Sequence, residues 1–287
     1  MFSTDPTMRW FYLIFILSVC RAAEDFRICS YNVQNFNMQK ASNYKLIHTL
    51  TRVVSRCDVC LLQHVVDVDG RAVNKLLAVL NRTEMVNLTG QHQYSSKQSF
   101  VREPFVVQFQ SNRTAIKKFV LVPLHSEPSK AVHEIDRLYD VFQEVSKKWN
   151  NKNVMFLGDF HASCAYVTRK DRKKIRLFKN SNFSWLIGDK VDTTVTDDTN
   201  CAYDRIVVHG EPFLKAIKPF SAQVYNFGKD LKLPQTRVLE VSDHFPIEVR
   251  LKGPASTEVR VKGSAPFLIQ ATPLLLLLLS VIGQFVL

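Results

Sequence analysis

Glycine (9) and proline (11) are scarce in this 287-residue chain, which excludes a collagen or a low-complexity protein. No internal repeat is visible, and no glycine- or proline-rich linker divides the chain. A long hydrophobic run is missing too. The C-terminal one, Leu274 to Leu287, holds fourteen residues, short of the ~20 that a membrane-spanning helix needs. Six cysteines are too few for a disulfide miniprotein of this length. Acidic residues are outnumbered, 26 against 38 Lys+Arg, for a net charge of +12. That excess points to an anionic partner, nucleic acid or a membrane surface, and says nothing about fold.

What is present begins with the two ends. Arg9 precedes the apolar run Trp10–Cys20, and Arg21-Ala22-Ala23 follow; this is the pattern of a secretory signal peptide over 1–22, cut after Ala22 or Ala23. At the other end, 253–287 reads as linker and hydrophobic tail. Small Gly263-Ser264-Ala265 precede a spacer from Pro266 to Pro273 and then the apolar run, the pattern of a GPI-anchor signal. An uncleaved tail anchor is the rival reading. Four sequons, at Asn81, Asn87, Asn112 and Asn182, become glycan acceptors on the surface of a secreted chain. The implied compartment is oxidising: the secretory pathway, with the endoplasmic reticulum or cell surface as destination.

Cys20 leaves with the signal, so Cys29, Cys57, Cys60, Cys164 and Cys201 remain. Cys57-Asp58-Val59-Cys60 has a zinc or redox spacing but no second ligand pair, and it enters an apolar strand; it reads as buried thiols. Cys164 and Cys201 both sit in polar loops, where a pairing would add ~3–4 kcal/mol in the chain-entropy model.

Between the ends, 23–252 reads as one domain. Strand-like apolar runs cover Phe26–Asn32, Val59–Gln63, Phe105–Gln110, Phe119–Leu124, Val154–Gly158, Arg205–Val208 and Ile247–Leu251. Helical periodicity covers Tyr44–Arg56, Arg71–Leu80 and Ala131–Trp149, where Val132, Ile135, Leu138, Phe142, Val145 and Trp149 recur every three or four residues. A β-rich centre with helices outside is a layered α/β sandwich. Polar residues stand at the ends of the runs: Asn32, His64, His125, Asp159, Asp204 and Asp243-His244. Singly each is an ordinary turn residue, and Asp204-Arg205 a local ion pair. Together they form a site if the strand ends share one edge.

Several stretches carry a resemblance: Ser30-Tyr31-Asn32-Val33-Gln34, Val122-Pro123-Leu124-His125, Leu157-Gly158-Asp159-Phe160, Cys201-Ala202-Tyr203-Asp204-Arg205-Ile206-Val207-Val208 and Ser242-Asp243-His244-Phe245-Pro246. In this order the chain resembles the deoxyribonuclease I family from about Phe26 to Leu251, and most of all its membrane-linked branch, deoxyribonuclease I-like 1. The resemblance implies a four-layer α/β/β/α sandwich and hydrolysis of DNA phosphodiesters with a divalent metal, Mg²⁺ and Ca²⁺ or Mn²⁺. It implies His125 and His244 as the general acid/base pair, Asp204 orienting an imidazole, and Asp159 and Asp243 on the metal. Asn32 would serve phosphate or metal water, and Cys164–Cys201 would be a disulfide. DNA is the implied partner of a monomer, with the membrane reached through the tail. A basic run, with Arg169, Lys170, Arg172 and Lys173, suits a phosphate-tracking surface, or simply a solvated loop.

The match breaks in three places. His64 stands where the family has glutamate, and imidazole suits Zn²⁺ or Mn²⁺ better than Mg²⁺. His161 replaces a phosphate-contacting asparagine. The stretch from Asn81 to Arg102 is shortened by a strand hairpin and the glutamate that would orient His125; neither Glu84 nor Glu103 stands in its place. The expectation is therefore a deoxyribonuclease impaired as written, whether through an omitted exon or through degeneration. The alternatives are a non-catalytic DNA-binding surface protein, or another phosphoesterase such as a phosphoinositide phosphatase or sphingomyelinase.

Overall fold

The computed structural model describes residues 25–80, 86–96 and 99–254, and residues 276–279 by their backbone. The signal-peptide reading, Asn81, Glu84 and most of the tail lie outside these residues. Two sheets form the centre. In chain order their strands are β1 (Phe26–Phe36), β2 (Val59–Val65), β3 (Asn87–Gln93), β4 (Phe105–Gln110), β5 (Lys118–Pro123), β6 (Val154–Asp159), β7 (Phe183–Trp185), β8 (Asp204–His209), β9 (Gln223–Val224), β10 (Ile247–Leu251) and β11 (Leu276–Leu279). One sheet runs β11-β2-β1-β10-β9 and the other β3-β4-β5-β6-β8-β7.

Both faces of the sheets are covered, which is why their strands read as apolar runs without alternation. Phe26, Ile28, Leu61, Phe109, Phe119, Leu121, Leu157 and Val249 fill the space between the sheets. Helices α1 (Met38–Ser42), α2 (Tyr44–Val54) and α3 (Arg71–Leu80) cover the outside of the first sheet, burying Leu46, Leu50 and Leu76 against Tyr31 and Leu62. Helix α4 (Ala131–Trp149) covers the second, setting Ile135, Leu138, Phe142 and Val145 against Val120, Val122 and Phe156. The four-layer α/β/β/α sandwich is the architecture expected from the sequence.

Topology gathers the strand ends. β1 and β2 run parallel, as do β5 and β6, while β8 is antiparallel to β6 and β10 to β1. The C-terminal ends of β1, β2, β5 and β6 therefore meet the starts of β8 and β10 at one pole. Gln63 ties the two sheets together there: its Nε2 donates to the Leu124 carbonyl at 2.7 Å, and its Oε1 accepts from Asp159 N–H at 2.9 Å. At the opposite pole lie Asn87, paired across the ladder with Gln110, then Asn112, and Asn182, whose carbonyl accepts from Gly210 N–H. All three asparagines are exposed.

β11 pairs in parallel with β2, Leu276 opposite Val59 through Leu279 opposite Leu62. The edge beside β2 is thus occupied by a piece of the C-terminal run. Among the described residues no helix is long and apolar enough to cross a membrane.

The cysteines correct one expectation. Cys57 is not a buried thiol but is bonded to Cys29, 28 residues away; Cys60, opposite Cys29 in the β1/β2 register, is the buried free thiol. Cys164–Cys201 is present as the resemblance implied. Replacing both Cys29 and Cys57 by serine is expected to lower stability by about 3.6 kcal/mol in the chain-entropy model. A urea midpoint unchanged from the unsubstituted protein would show that this crosslink is idle.

Candidate active site

Asp159 is the hub. It ends β6 fully buried, and the ladder sets it opposite Asp204, the first residue of β8. Its Oδ2 accepts from Asn32 Nδ2 at 3.0 Å and lies 3.7 Å from His244 Nε2 and 3.9 Å from His125 Nε2. Its Oδ1 faces His161, 3.2 Å from the backbone N–H and 3.3 Å from Nδ1. His244 Nδ1 is bonded to Asp204 Oδ2 at 2.7 Å. Two acids and an imidazole distant in the chain therefore form one string, Asp204–His244–Asp159, with His125 on the far side of the last carboxylate.

Local structure fixes each member. Ser242 Oγ donates to the Asn32 carbonyl at 2.6 Å and accepts from His244 N–H at 3.1 Å, locking the turn that presents the imidazole. Thr193 Oγ1 accepts from the N–H groups of Tyr203 and Asp204. The Arg205 guanidinium, fully buried, donates to the carbonyls of Ala162, Ile187 and Ala202 and to Asp189. It bolts together the loops beneath the site, which Cys164–Cys201 also staples. Arg205 thus pairs with Asp189, not with neighbouring Asp204.

Gly158 has φ +137°, and a Cβ there would lie 2.1 Å from the Leu124 carbonyl oxygen and 2.6 Å from Gln63 Nε2. Only glycine lets the Gln63 tie form beneath Asp159.

Electrostatics push the two central imidazoles in opposite directions. Burial alone would lower His244, but Asp204 and Asp159 on either side overcome it and hold it at about 10. In the buried Asp204–His244 pair the proton therefore stays on the imidazole. Burial drives His125 down to about 3, opposed by Asp159 and reinforced by Arg102. Burial and Arg102 lower His64 as well. Asp159 is lowered: burial acts against its charge, and His244, His161 and His125 outweigh it.

The other expected site residues divide. Asn32 positions Asp159 through one N–H of its amide while its Oδ1 accepts from Gln34 N–H at 3.0 Å; an amide nitrogen carries two donors, so one remains for phosphate or water. Asp243 is half-buried and acts on both His64 and His244. Arg172, counted among the phosphate-tracking residues, is ion-paired with Asp189 and stacks over Phe178; Arg169, Lys170 and Lys173 are exposed. Glu103 accepts from Ser96 N–H at 2.7 Å and gives His125 no carboxylate partner.

Sequence reasoning missed Gln63, Ser242, Thr193 and Arg102. A glutamine at the end of an apolar strand was the signal for the first. Nothing in the sequence marks Arg102, whose Nη1 donates to the His125 carbonyl at 3.3 Å. Tyr203 stood inside a quoted motif without a role; its ring lies 5.2 Å from that of His161 and 6.3 Å from that of His244.

Asp159, Asp204 and His244 bring ligand atoms within 4.8 Å of one another, an arrangement that could hold a metal ion. Among the described residues Asp204 Oδ1 is a buried acceptor without a hydrogen-bond partner. Carboxylate oxygens of this kind fit a hard divalent cation.

A model of the endonuclease/exonuclease/phosphatase family matches residues 29–244, from β1 to the site histidine. The chain belongs to that family. Its relatives include human deoxyribonuclease gamma, 38% identical over 275 residues, covering 84% of this chain and 90% of that protein. Human deoxyribonuclease-1-like 1 is 36% identical over 270 residues, with coverage of 84% and 88%. Pig deoxyribonuclease-1 is 38% identical over 274 residues, with coverage of 84% and 96%. Among solved structures, humanized D. rerio TDP2 matches with a TM-score of 0.58 at 15% identity, covering 80% of this chain and 100% of that one. That likeness concerns the fold alone. The expected deoxyribonuclease-type membership and its sandwich thus stand.

Proposed function

We propose that this member of the family hydrolyses DNA phosphodiesters, with His125 as general base and His244 as general acid. The observation that carries the reading is geometric: two imidazoles face the same carboxylate oxygen of Asp159 at 3.9 and 3.7 Å, while Asp204 holds one of them from behind. Their opposite protonation preferences at neutral pH suit complementary roles. Neutral His125 takes a proton from water as its oxygen attacks phosphorus. The bond from phosphorus to the 3′-oxygen breaks, and His244 passes its proton to that oxygen. Asp204 keeps the ring oriented and stabilises its charge.

Asp159 and Asp243 would hold a divalent cation, Mg²⁺, Ca²⁺ or Mn²⁺, which neutralises charge on the phosphate. Arg102, Arg169, Lys170 and Lys173 would contact the backbone of the substrate. Among the described residues His125 has no hydrogen-bonded carboxylate to orient it, which supports the reading of slow turnover. The two disulfides support passage through the secretory pathway, with membrane attachment through the tail.

Nicking of supercoiled plasmid with Mg²⁺/Ca²⁺ or Mn²⁺ tests this. Activity should persist across neutral pH, falling as pH drops toward about 3, where His125 gains a proton, and as it passes about 10, where His244 loses one. Stability follows the same signs. The contribution of His244, raised from 6.5, is complete below 6.5 and lost as pH rises through about 10; that of His125, lowered from 6.5, is complete above 6.5 and fades toward about 3. Folded protein that binds DNA with steep salt dependence yet never cuts it would make the chain a non-catalytic binder.

A further inference from the structure

Four imidazoles surround Asp159, and two are already engaged. His161 Nδ1 lies 3.2 Å from Ser126 Oγ and 3.3 Å from Asp159 Oδ1, and His244 Nδ1 is bonded to Asp204. The ring nitrogens of His64 and His125 have no hydrogen-bond partner among the described residues. Their ring centres are 5.2 Å apart and the ring planes are tilted by 52°. Two imidazoles sharing one tetrahedral cation at bond lengths of about 2.0–2.1 Å put their ring centres roughly 5 Å apart.

We propose that His64 and His125 form a two-imidazole seat for a borderline divalent cation of the Zn²⁺ class, and that filling it withdraws His125 from catalysis. This seat shares no residue with the Asp159–Asp204–His244 group. Nitrogen donors favour Zn²⁺ and Co²⁺ over Mg²⁺, which prefers oxygen and retains its waters. Asp159 and Asp243 supply negative charge around the seat; Arg102 and His244 oppose it, so affinity is moderate and the cation exchanges. Water completes the coordination shell.

His64 is held for this task by its backbone. Its φ of +58° lies in the left-handed region, uncommon for residues other than glycine although histidine, like asparagine and aspartate, enters it more often than most, and it follows the pinned Gln63. The fold thus fixes the point from which the ring reaches toward His125.

The consequence is inhibition: a nitrogen bound to Zn²⁺ cannot accept a proton from water. That half rests on His125 acting as the base, whereas the binding half does not. The test separates them. The full chain is titrated with Co²⁺ and followed by visible absorption, then competed with Zn²⁺, with no DNA present. Tetrahedral Co²⁺ bands that Zn²⁺ displaces and Mg²⁺ does not are the expected result. His64→Asn, which suits the left-handed backbone, should weaken both ions about 10–100-fold; His161→Asn should leave them bound.

Zn²⁺ should also block Mg²⁺-supported nicking at the concentration that displaces Co²⁺, and the block should shift by the same factor in His64→Asn. Equal affinity in His64→Asn and unsubstituted protein, or an absence of tetrahedral bands, overturns the seat. Binding as expected with nicking unaffected by Zn²⁺ overturns the inhibitory half. Binding as expected in a chain that never nicks sinks the catalytic reading and leaves the seat standing.

Discussion

Substituting His244 by glutamine is expected to slow plasmid nicking about 10²–10⁴-fold, the range for loss of a general acid. Glutamine keeps a hydrogen bond to Asp204 and so avoids leaving a buried carboxylate bare. His244→Ala would leave it bare, and stranding a buried charge costs ~3–5 kcal/mol. Asp204→Asn should also lower the rate, because the imidazolium loses the anion that stabilises it. Since the two residues act as a unit, the double variant should be little slower than the slower single one. Circular dichroism establishes that each variant is folded. Wild-type nicking by folded His244→Gln would remove the proposed acid from the mechanism.

The largest effect on stability is expected at Gly158. An alanine Cβ would press to 2.1 Å from a backbone carbonyl, which has no rotamer to escape into, at φ +137°. Gly158→Ala should lose more than ~4 kcal/mol or yield no soluble protein. Gly188→Ala is the matched control, since its Cβ would meet Val191 Cγ2 at an ordinary 3.6 Å; a change within about 0.5 kcal/mol is expected there. Equal unfolding midpoints for the two variants would refute the idea that Gln63 and Leu124 close tightly on this glycine.

Much of the molecule was legible because its sheets are buried on both faces. Strands such as Phe105–Gln110 and Ile247–Leu251, and the long helix Ala131–Trp149, have the bounds that their apolar patterns indicated. The site was legible as polar residues that interrupt those runs, and β6/β8 register turns Asp159 and Asp204 from two turn residues into facing partners. The rest was hidden for physical reasons. β3 is polar and largely exposed, so it carries neither alternation nor a hydrophobic run; its strand character comes from pairing with β4. The Cys29–Cys57 bond joins residues whose proximity depends on the parallel β1/β2 pairing, while the short spacing of Cys57 and Cys60 drew attention to the wrong partner. The supporting hydroxyls of Ser242 and Thr193 are invisible in any pattern, since their worth lies in bonds to backbone groups far along the chain. The bond from Asn32 to Asp159, 127 residues away, likewise has no signal in the sequence.

The distribution of the sequons has a bearing on how a double helix could approach. Asn87, Asn112 and Asn182 project from the pole away from Asp159, and the last described residue before the tail strand, Pro254, follows β10 out at that same pole. Sugars added there would crowd the side from which the tail departs. None of these three stands on the rim around the two imidazoles, so a bulky, rod-like polyanion could lie across it without meeting a carbohydrate branch from them.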